Sequence, residues 1–299
     1  MFRNAKSTAV AALFCALTGS ALTACDEASE ADAPAPVSAA GDTAGEPISG
    51  TTKITVAGRS VNVSCSGTPV DGTPVVVLMA GLGDGLDKMA GLQQTLSEKG
   101  RACSYDRLGE GASDQPGGVQ TFDSSGAILT GVLDRVAGDE PVVLAGHSLG
   151  GLIAARYAPG HQDRVAGLVL MDATPSTILA DTTAAIPESA TGPAAELRAQ
   201  SLAVYGGQNP EQLTIEDGEV GYAGDIPVEV IQHGQHYLAE IPEYGDALER
   251  AWAEGQDKWL DLSSRSEPST ASASGHYIYV DQPDVAVQAI QRVTAAAAE

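Results

Sequence analysis

The chain has 299 residues, enough for one large domain with a substantial core. Its 39 Asp and Glu against 16 Lys and Arg give a formal net charge of -23, a surface that repels phosphate backbones and argues against nucleic acid as a partner. Aromatic residues make up only 4%, too few for a carbohydrate-stacking surface.

The N-terminal residues read as an address. Arg3 and Lys6 form a positive start, and Ala9 to Leu17 a short apolar core too brief to span a bilayer. Leu22-Thr23-Ala24-Cys25 follows and resembles the bacterial lipobox, in which the Cys is lipidated and the peptide before it removed. The expectation is a signal peptide over 1–24 and a protein anchored to the membrane outside the cytoplasm through a lipid on Cys25. Each buried CH₂ of such a lipid contributes about 0.8 kcal/mol. From residue 25 to 49 there is almost no large apolar side chain among Ala, Pro, Asp, Glu, Gly and Ser. That composition predicts a disordered tether, because it cannot bury enough surface to offset its ordering entropy.

From residue 50 to 299 strand-like and helix-like stretches alternate, as in an α/β domain. Thr52–Val56 and Arg59–Cys65 alternate polar with apolar around Ala57-Gly58, an edge hairpin. Pro74–Met79 is continuously apolar, as a strand buried on both faces should be. A helix over Leu86–Lys99, a strand over Arg101–Tyr105, a helix over Phe122–Ala137 and a strand over Val142–Ala145 follow. Then come Gly146-His147-Ser148-Leu149-Gly150-Gly151 and a helix to about Ala158. Strand, sharp turn and helix in this order are the pattern of a nucleophile elbow, with Ser148 as the nucleophile. Val165–Met171 predicts another buried strand. Pro175 to about Gly224 has a poor period with scattered Pro, Gly and Thr, which predicts a lid inserted between two strands. A strand over Val228–Gln232, a helix over Tyr244–Leu262, a short strand near Thr270–Ser274 and a helix over Pro283–Ala298 complete the domain. Pro283 suits a first helical position, with Asp284 in the positive first turn.

A serine hydroxyl is a poor nucleophile until a base takes its proton, and five His residues compete for that role. His147 abuts the nucleophile and should point away from it, in a structural role. His161 lies just past the elbow helix, on a surface loop. His233 and His236 end the penultimate strand, early in the chain. His276, in Ser274-Gly-His-Tyr-Ile278, lies between the last strand and the last helix and after the acid candidates, as the order Ser, acid, His requires. His276 is the expected base. No C-x-x-C or H-E-x-x-H spacing occurs, and the His233/His236 pair follows a strand-like run, so no metal is expected. Cys15 leaves with the signal peptide and Cys25 takes the lipid, which leaves Cys65 and Cys103 as an even pair in an oxidising compartment. Asp106-Arg107 reads as a loop brace, and Asp84 and Asp87 as a solvated loop and helix start.

Four segments in order resemble the α/β-hydrolase fold superfamily over nearly all of residues 50–299. Leu78-Met-Ala-Gly-Leu-Gly83 resembles its oxyanion loop, and Tyr105-Asp-Arg-Leu-Gly-Glu-Gly-Ala-Ser-Asp114 its loop after the fourth strand. Gly146–Gly151 is similar to its elbow, and Ser274-Gly-His276 with Asp281-Gln-Pro283 to its His loop. The resemblance implies a mainly parallel eight-stranded sheet flanked by helices. Where the usual oxyanion loop begins His-Gly, this chain has Ala80-Gly81; the oxyanion donors implied by position are the backbone N–H groups of Leu149 and Leu82. The resemblance also places the strands of Cys65 and Cys103 side by side, which implies a disulfide. The acid commonly follows the penultimate strand, but Val230–His236 holds no carboxylate before Glu240. The other site used by relatives, the end of the strand after the elbow, holds Asp172, the expected acid, with Glu240 and Glu243 as alternatives. The activity implied is hydrolysis of a small ester-like substrate without a cofactor. Amide, lactone or C–C bond cleavage, acyl transfer and a non-catalytic binding module are the alternatives.

Overall fold

The computed structural model describes residues 47–299; the expected signal peptide, Cys25 and most of the expected tether lie outside the described residues. The described domain begins at Pro47. Ile48, placed by sequence in the tether, is buried, and its carbonyl accepts a 2.6 Å hydrogen bond from Arg101.

In chain order the elements are β1 (Gly50–Val56), β2 (Arg59–Ser66), β3 (Val76–Met79), α1 (Ala90–Leu96), β4 (Ala102–Tyr105), α2 (Phe122–Ala137), β5 (Val142–His147) and α3 (Leu149–Tyr157). They continue with β6 (Val165–Met171), α4 (Ile178–Ala185), α5 (Gly192–Tyr205), β7 (Pro227–His233), α6 (Gly245–Lys258), β8 (Arg265–Ala271), α7 (Ile278–Asp281) and α8 (Pro283–Ala297). The eight strands form one sheet in the order β1-β2-β4-β3-β5-β6-β7-β8. Only β2, pairing β1 and β4, runs antiparallel to its neighbours; the pairs from β4 to β8 are all parallel. The β1–β2 turn uses Ala57 and Gly58, both at positive φ, whose twist suits a two-residue hairpin.

The apolar runs read as buried strands sit at the sheet centre because both faces are covered. Leu144, Leu168, Leu170 and Val230 join the core on the face of α2 and α3, while Val143, Val169, Met171 and Ile231 pack with residues of α1 and α8 on the other. In parallel strands such alternation makes every residue apolar. The elements depart most from the sequence reading at three places, besides the short α7, which has no counterpart in it. Leu86–Met89 is a 3-10 turn ahead of the shorter α1. The last strand runs over Arg265–Ala271; it is an exposed edge carrying Pro268, so it lacks an apolar signature. The segment between β6 and β7, read as aperiodic, holds α4 and α5. Each buries only two residues, Ile178 with Thr182 and Ala194 with Ser201, so neither has an apolar stripe to read.

Cys65 and Cys103 are opposite each other in the antiparallel β2–β4 pair and form a disulfide. With 38 positions enclosed, its loss should lower stability by up to about 4 kcal/mol in the chain-entropy picture. Chemical unfolding with and without reductant measures this. Thiol titration of the denatured, unreduced domain should find neither Cys free, and two free thiols would contradict the bridge.

Candidate active site

The C-terminal ends of β5 and β6 each turn through a non-glycine residue at positive φ, Ser148 at 51° and Asp172 at 46°. Such backbone is strained for any side chain with a Cβ, and it persists only where the surroundings dictate it. At Ser148 they do. The Ser148 N–H donates to Met171 O at 3.2 Å, and its carbonyl accepts from Thr174 N and Leu152 N. Gly150 brings α3 against the neighbouring loop so closely that a Cβ there would sit 2.4 Å from Met79 O. The turn is a sharp strand-to-helix elbow with Ser148 at its tip and Leu149 as the first residue of α3. Ser148 Oγ lies 3.4 Å from Thr174 Oγ1 and is not hydrogen-bonded to His276. Base–nucleophile contacts of this kind often align only around a substrate.

The expected oxyanion loop runs beside the elbow, since a Cβ on Gly81 would sit 3.4 Å from Ser148 Cβ and 2.9 Å from His147 Nδ1. The N–H groups of Leu82 and Leu149 donate to no loop or turn carbonyl among the described residues. They remain available to a ligand oxygen. The loop is held from behind by Arg107, whose guanidinium donates to Ala80 O at 2.6 Å and Gly81 O at 2.9 Å. The same guanidinium grips Glu211, in the segment after α5, at 2.8 and 2.6 Å, with both partners buried. Burial opposes the charge on Arg107, but Glu211 outweighs it and raises the guanidinium above its ordinary range. Glu110 accepts the Gly83 N–H at 2.8 Å, and burial together with the Glu211 charge pushes its carboxyl up to about 7. Asp106 accepts from Leu86 N, Ala112 N and Asn62 Nδ2. The Asp106-Arg107 pair braces loops, as the sequence suggested; its link through Glu211 to the inserted segment had no sequence signal. Asp84, read as solvated, has a buried Oδ2 with no partner, and burial raises its carboxyl.

Asp172 is fully buried and joins two histidines. Its Oδ2 is 2.7 Å from His276 Nδ1; its Oδ1 is 2.8 Å from His233 Nδ1 and 2.9 Å from Trp252 Nε1. Burial alone would raise the carboxyl, but hydrogen bonds from His233 and His276, with their charges, hold it well below the usual carboxylate range. An ionised carboxylate only accepts, so His276 carries its proton on Nδ1 and, when neutral, leaves Nε2 as an acceptor. Glu240 and Glu243 are exposed, and neither hydrogen-bonds to a histidine. The rings of His147, Tyr237, Tyr277 and Trp252 stand 4.5 to 5.7 Å from that of His276. His147 Nε2 lies 2.9 Å from the His276 carbonyl, while its Nδ1 is buried without a partner. Burial, then the His276 charge, push the His147 ring down to about 3, so it is neutral and donates to the loop that carries His276. His161 stacks on Tyr157 at 3.8 Å, and His236 is exposed. Among the described residues no three His, Cys, Asp or Glu side chains are grouped to hold a metal.

Sequence reasoning missed His233 and Trp252 as partners of Asp172. The available signal was a histidine ending the buried penultimate strand.

A family model described as the alpha/beta hydrolase fold matches residues 74–206. A Klebsiella pneumoniae protein provisionally named a carbamate hydrolase, RutD, is 34% identical over 106 residues, 35% of this chain and 39% of that protein. This chain therefore matches about two fifths of that relative's length. The carboxylesterase CesB of Bacillus subtilis superposes with a TM-score of 0.57 at 18% identity, over 82% of this chain and 91% of that one. The enol-lactonase of Burkholderia xenovorans LB400 gives 0.55 at 20% identity, over 81% and 99%. At these identities the structural likeness is one of fold. Sheet order, elbow and family model agree that this chain has the α/β-hydrolase fold.

Proposed function

We propose that the protein is a serine hydrolase that cleaves small carboxylic esters through an acyl-enzyme. The observation that carries this reading is the buried Asp172 bonded at 2.7 Å to His276 Nδ1, at the same end of the sheet as the strained Ser148 elbow. Ser148 Oγ attacks the ester carbonyl carbon while His276 Nε2 takes the hydroxyl proton. The carbonyl oxygen, now an anion, accepts from the N–H groups of Leu82 and Leu149. Collapse breaks the bond to the leaving alcohol, which receives the proton from His276. A water then attacks the acyl-enzyme, gives its proton to His276, and releases the acid as Ser148 regains its hydrogen. Asp172 fixes the His276 tautomer and stabilises the imidazolium formed in each half.

The reading is tested by a series of p-nitrophenyl esters from acetate to palmitate, with a lactone and a carbamate alongside. Turnover of the short esters that follows enzyme concentration supports it; hydrolysis of none of the esters overturns it. Preference for the lactone or carbamate would keep the chemistry and change the substrate class.

For the N-terminal segment we propose lipidation at Cys25, supported by the charged start, the short apolar core and Leu22-Thr-Ala-Cys25. The enzyme would then work outside the cytoplasm, tethered to the membrane. Intact-mass measurement of the mature protein should find an N-terminal, lipid-modified Cys25. An unmodified chain starting elsewhere would contradict this.

A further inference from the structure

Asp172 Oδ2 serves His276, but Oδ1 serves a second histidine that the reaction above does not use. His233, at the end of β7, donates through Nδ1 to Asp172 Oδ1 at 2.8 Å. Its other ring nitrogen, Nε2, lies 3.0 Å from Glu249 Oε2 and 3.3 Å from Oε1, on α6. Glu249 Oε1 in turn accepts the Leu238 N–H at 3.1 Å. Both partners of the His233 ring are carboxylates, and a carboxylate offers no proton. With both carboxylates ionised, two acceptors at two ring nitrogens require two protons, which makes His233 a cation.

The charges then form a row: His276, Asp172, His233, Glu249. We propose that His233 is a positioning residue, a cation clamped between Asp172 and Glu249 that fixes the carboxylate from the side opposite His276 and restrains the basicity of His276. The reason lies in the sum of charges. With His276 neutral, Asp172 and Glu249 bring two negative charges and His233 returns one positive. When His276 takes the Ser148 proton, the row becomes neutral overall. Without the cation, two uncompensated carboxylates would draw a proton onto His276 in the resting enzyme, and a protonated His276 cannot accept one from Ser148.

The surroundings are consistent with a stable cation. Burial opposes charge on His233, yet its hydrogen bonds to Asp172 and Glu249, with their charges, lift its ring to about 9. The Tyr237 ring stands edge-on at 4.8 Å and Trp252 at 6.5 Å. Outside the His233–Glu249 pair a cavity of about 470 Å³ is lined also by His236, Asp246 and Arg250. On the His276 side the titratable neighbours are Asp172, His147, Tyr237, Tyr277 and Asp84.

The inference deepens the hydrolase reading and rests on it, so the test has two arms. In the first, ¹⁵N-histidine-labelled wild-type protein is observed by NMR at neutral pH. Both His233 ring nitrogens should carry protons; a ring with one bare nitrogen overturns the proposal, whether or not the protein hydrolyses esters. In the second, His233→Asn places an amide nitrogen where Nδ1 was, keeping a donor to Asp172 but removing the charge. The acid limb of its kcat/KM–pH profile should move up by about one pH unit, the order expected for removing one charge a few ångströms beyond the carboxylate. Activity on the acid limb should then fall by up to about tenfold, and it should recover at alkaline pH. A uniform loss across the pH range, or no shift, would mean that His233 is only structural. An inactive wild type would instead count against the hydrolase reading.

Discussion

Replacing Ser148 with alanine should remove on the order of 10⁶ of kcat for any ester the protein hydrolyses. The size of the effect follows from what the elbow provides. Ser148 is the residue that the strained turn presents at the mouth of the sheet, beside the expected oxyanion loop. In the proposed mechanism its loss would remove the covalent step, whereas the backbone N–H groups of Leu82 and Leu149 would stay in place. The residual rate is therefore what those donors and binding alone supply, about 10³ to 10⁴ over water in comparable enzymes. The fold should survive, because the side chain makes a single hydrogen bond, to Thr174 at 3.4 Å, and alanine bears the same backbone strain as serine. Steady-state kinetics with a thermal melt on the same sample separate the two effects. Activity within tenfold of wild type would assign the chemistry elsewhere.

Asp172→Asn should lower kcat by up to about 10⁴, the scale of the same change in a serine protease. Here the effect has two sources. An amide in place of Oδ2 can donate to His276 Nδ1, which moves the ring proton to Nε2 and leaves no acceptor for the Ser148 proton. The same change takes the charge from the only described carboxylate that joins both His276 and His233. Breaking a buried pair on one side costs about 3 to 5 kcal/mol, so this variant should also melt earlier than Ser148→Ala. Glu240→Gln and Glu243→Gln change exposed side chains and should leave both kcat and the melt near wild type. If either of those variants collapses while Asp172→Asn stays active, the acid has been misassigned.

What could be read before the structure depended on whether a segment buries its residues in a regular way. The bounds of Val165–Met171 and Phe122–Ala137 follow from the sequence to the residue, because one is buried at every position but Ala166 and the other carries a clear apolar stripe. The helices α4 and α5 escaped because each buries only two residues and the rest faces outward. Ser148 and His276 stand out in the sequence as candidates because each lies in a turn with its own short pattern. Asp172 is proposed as the acid only through the resemblance to the hydrolase fold, because a carboxylate after a buried strand reads equally well as turn chemistry. His233 and Trp252 were out of reach for a different reason. They meet Asp172 across separations of 61 and 80 positions, and no local pattern encodes such a meeting. The Arg107–Glu211 pair, 104 positions apart, is the same case.

Whether Ser148 is the nucleophile is tested most directly by covalent labelling. The protein is treated with a fluorophosphonate probe, digested, and the adduct located by tandem mass spectrometry. A single phosphonylated residue, Ser148, is expected, with no labelling of Ser148→Ala. An adduct on another residue, or equal labelling of the alanine variant, would contradict it.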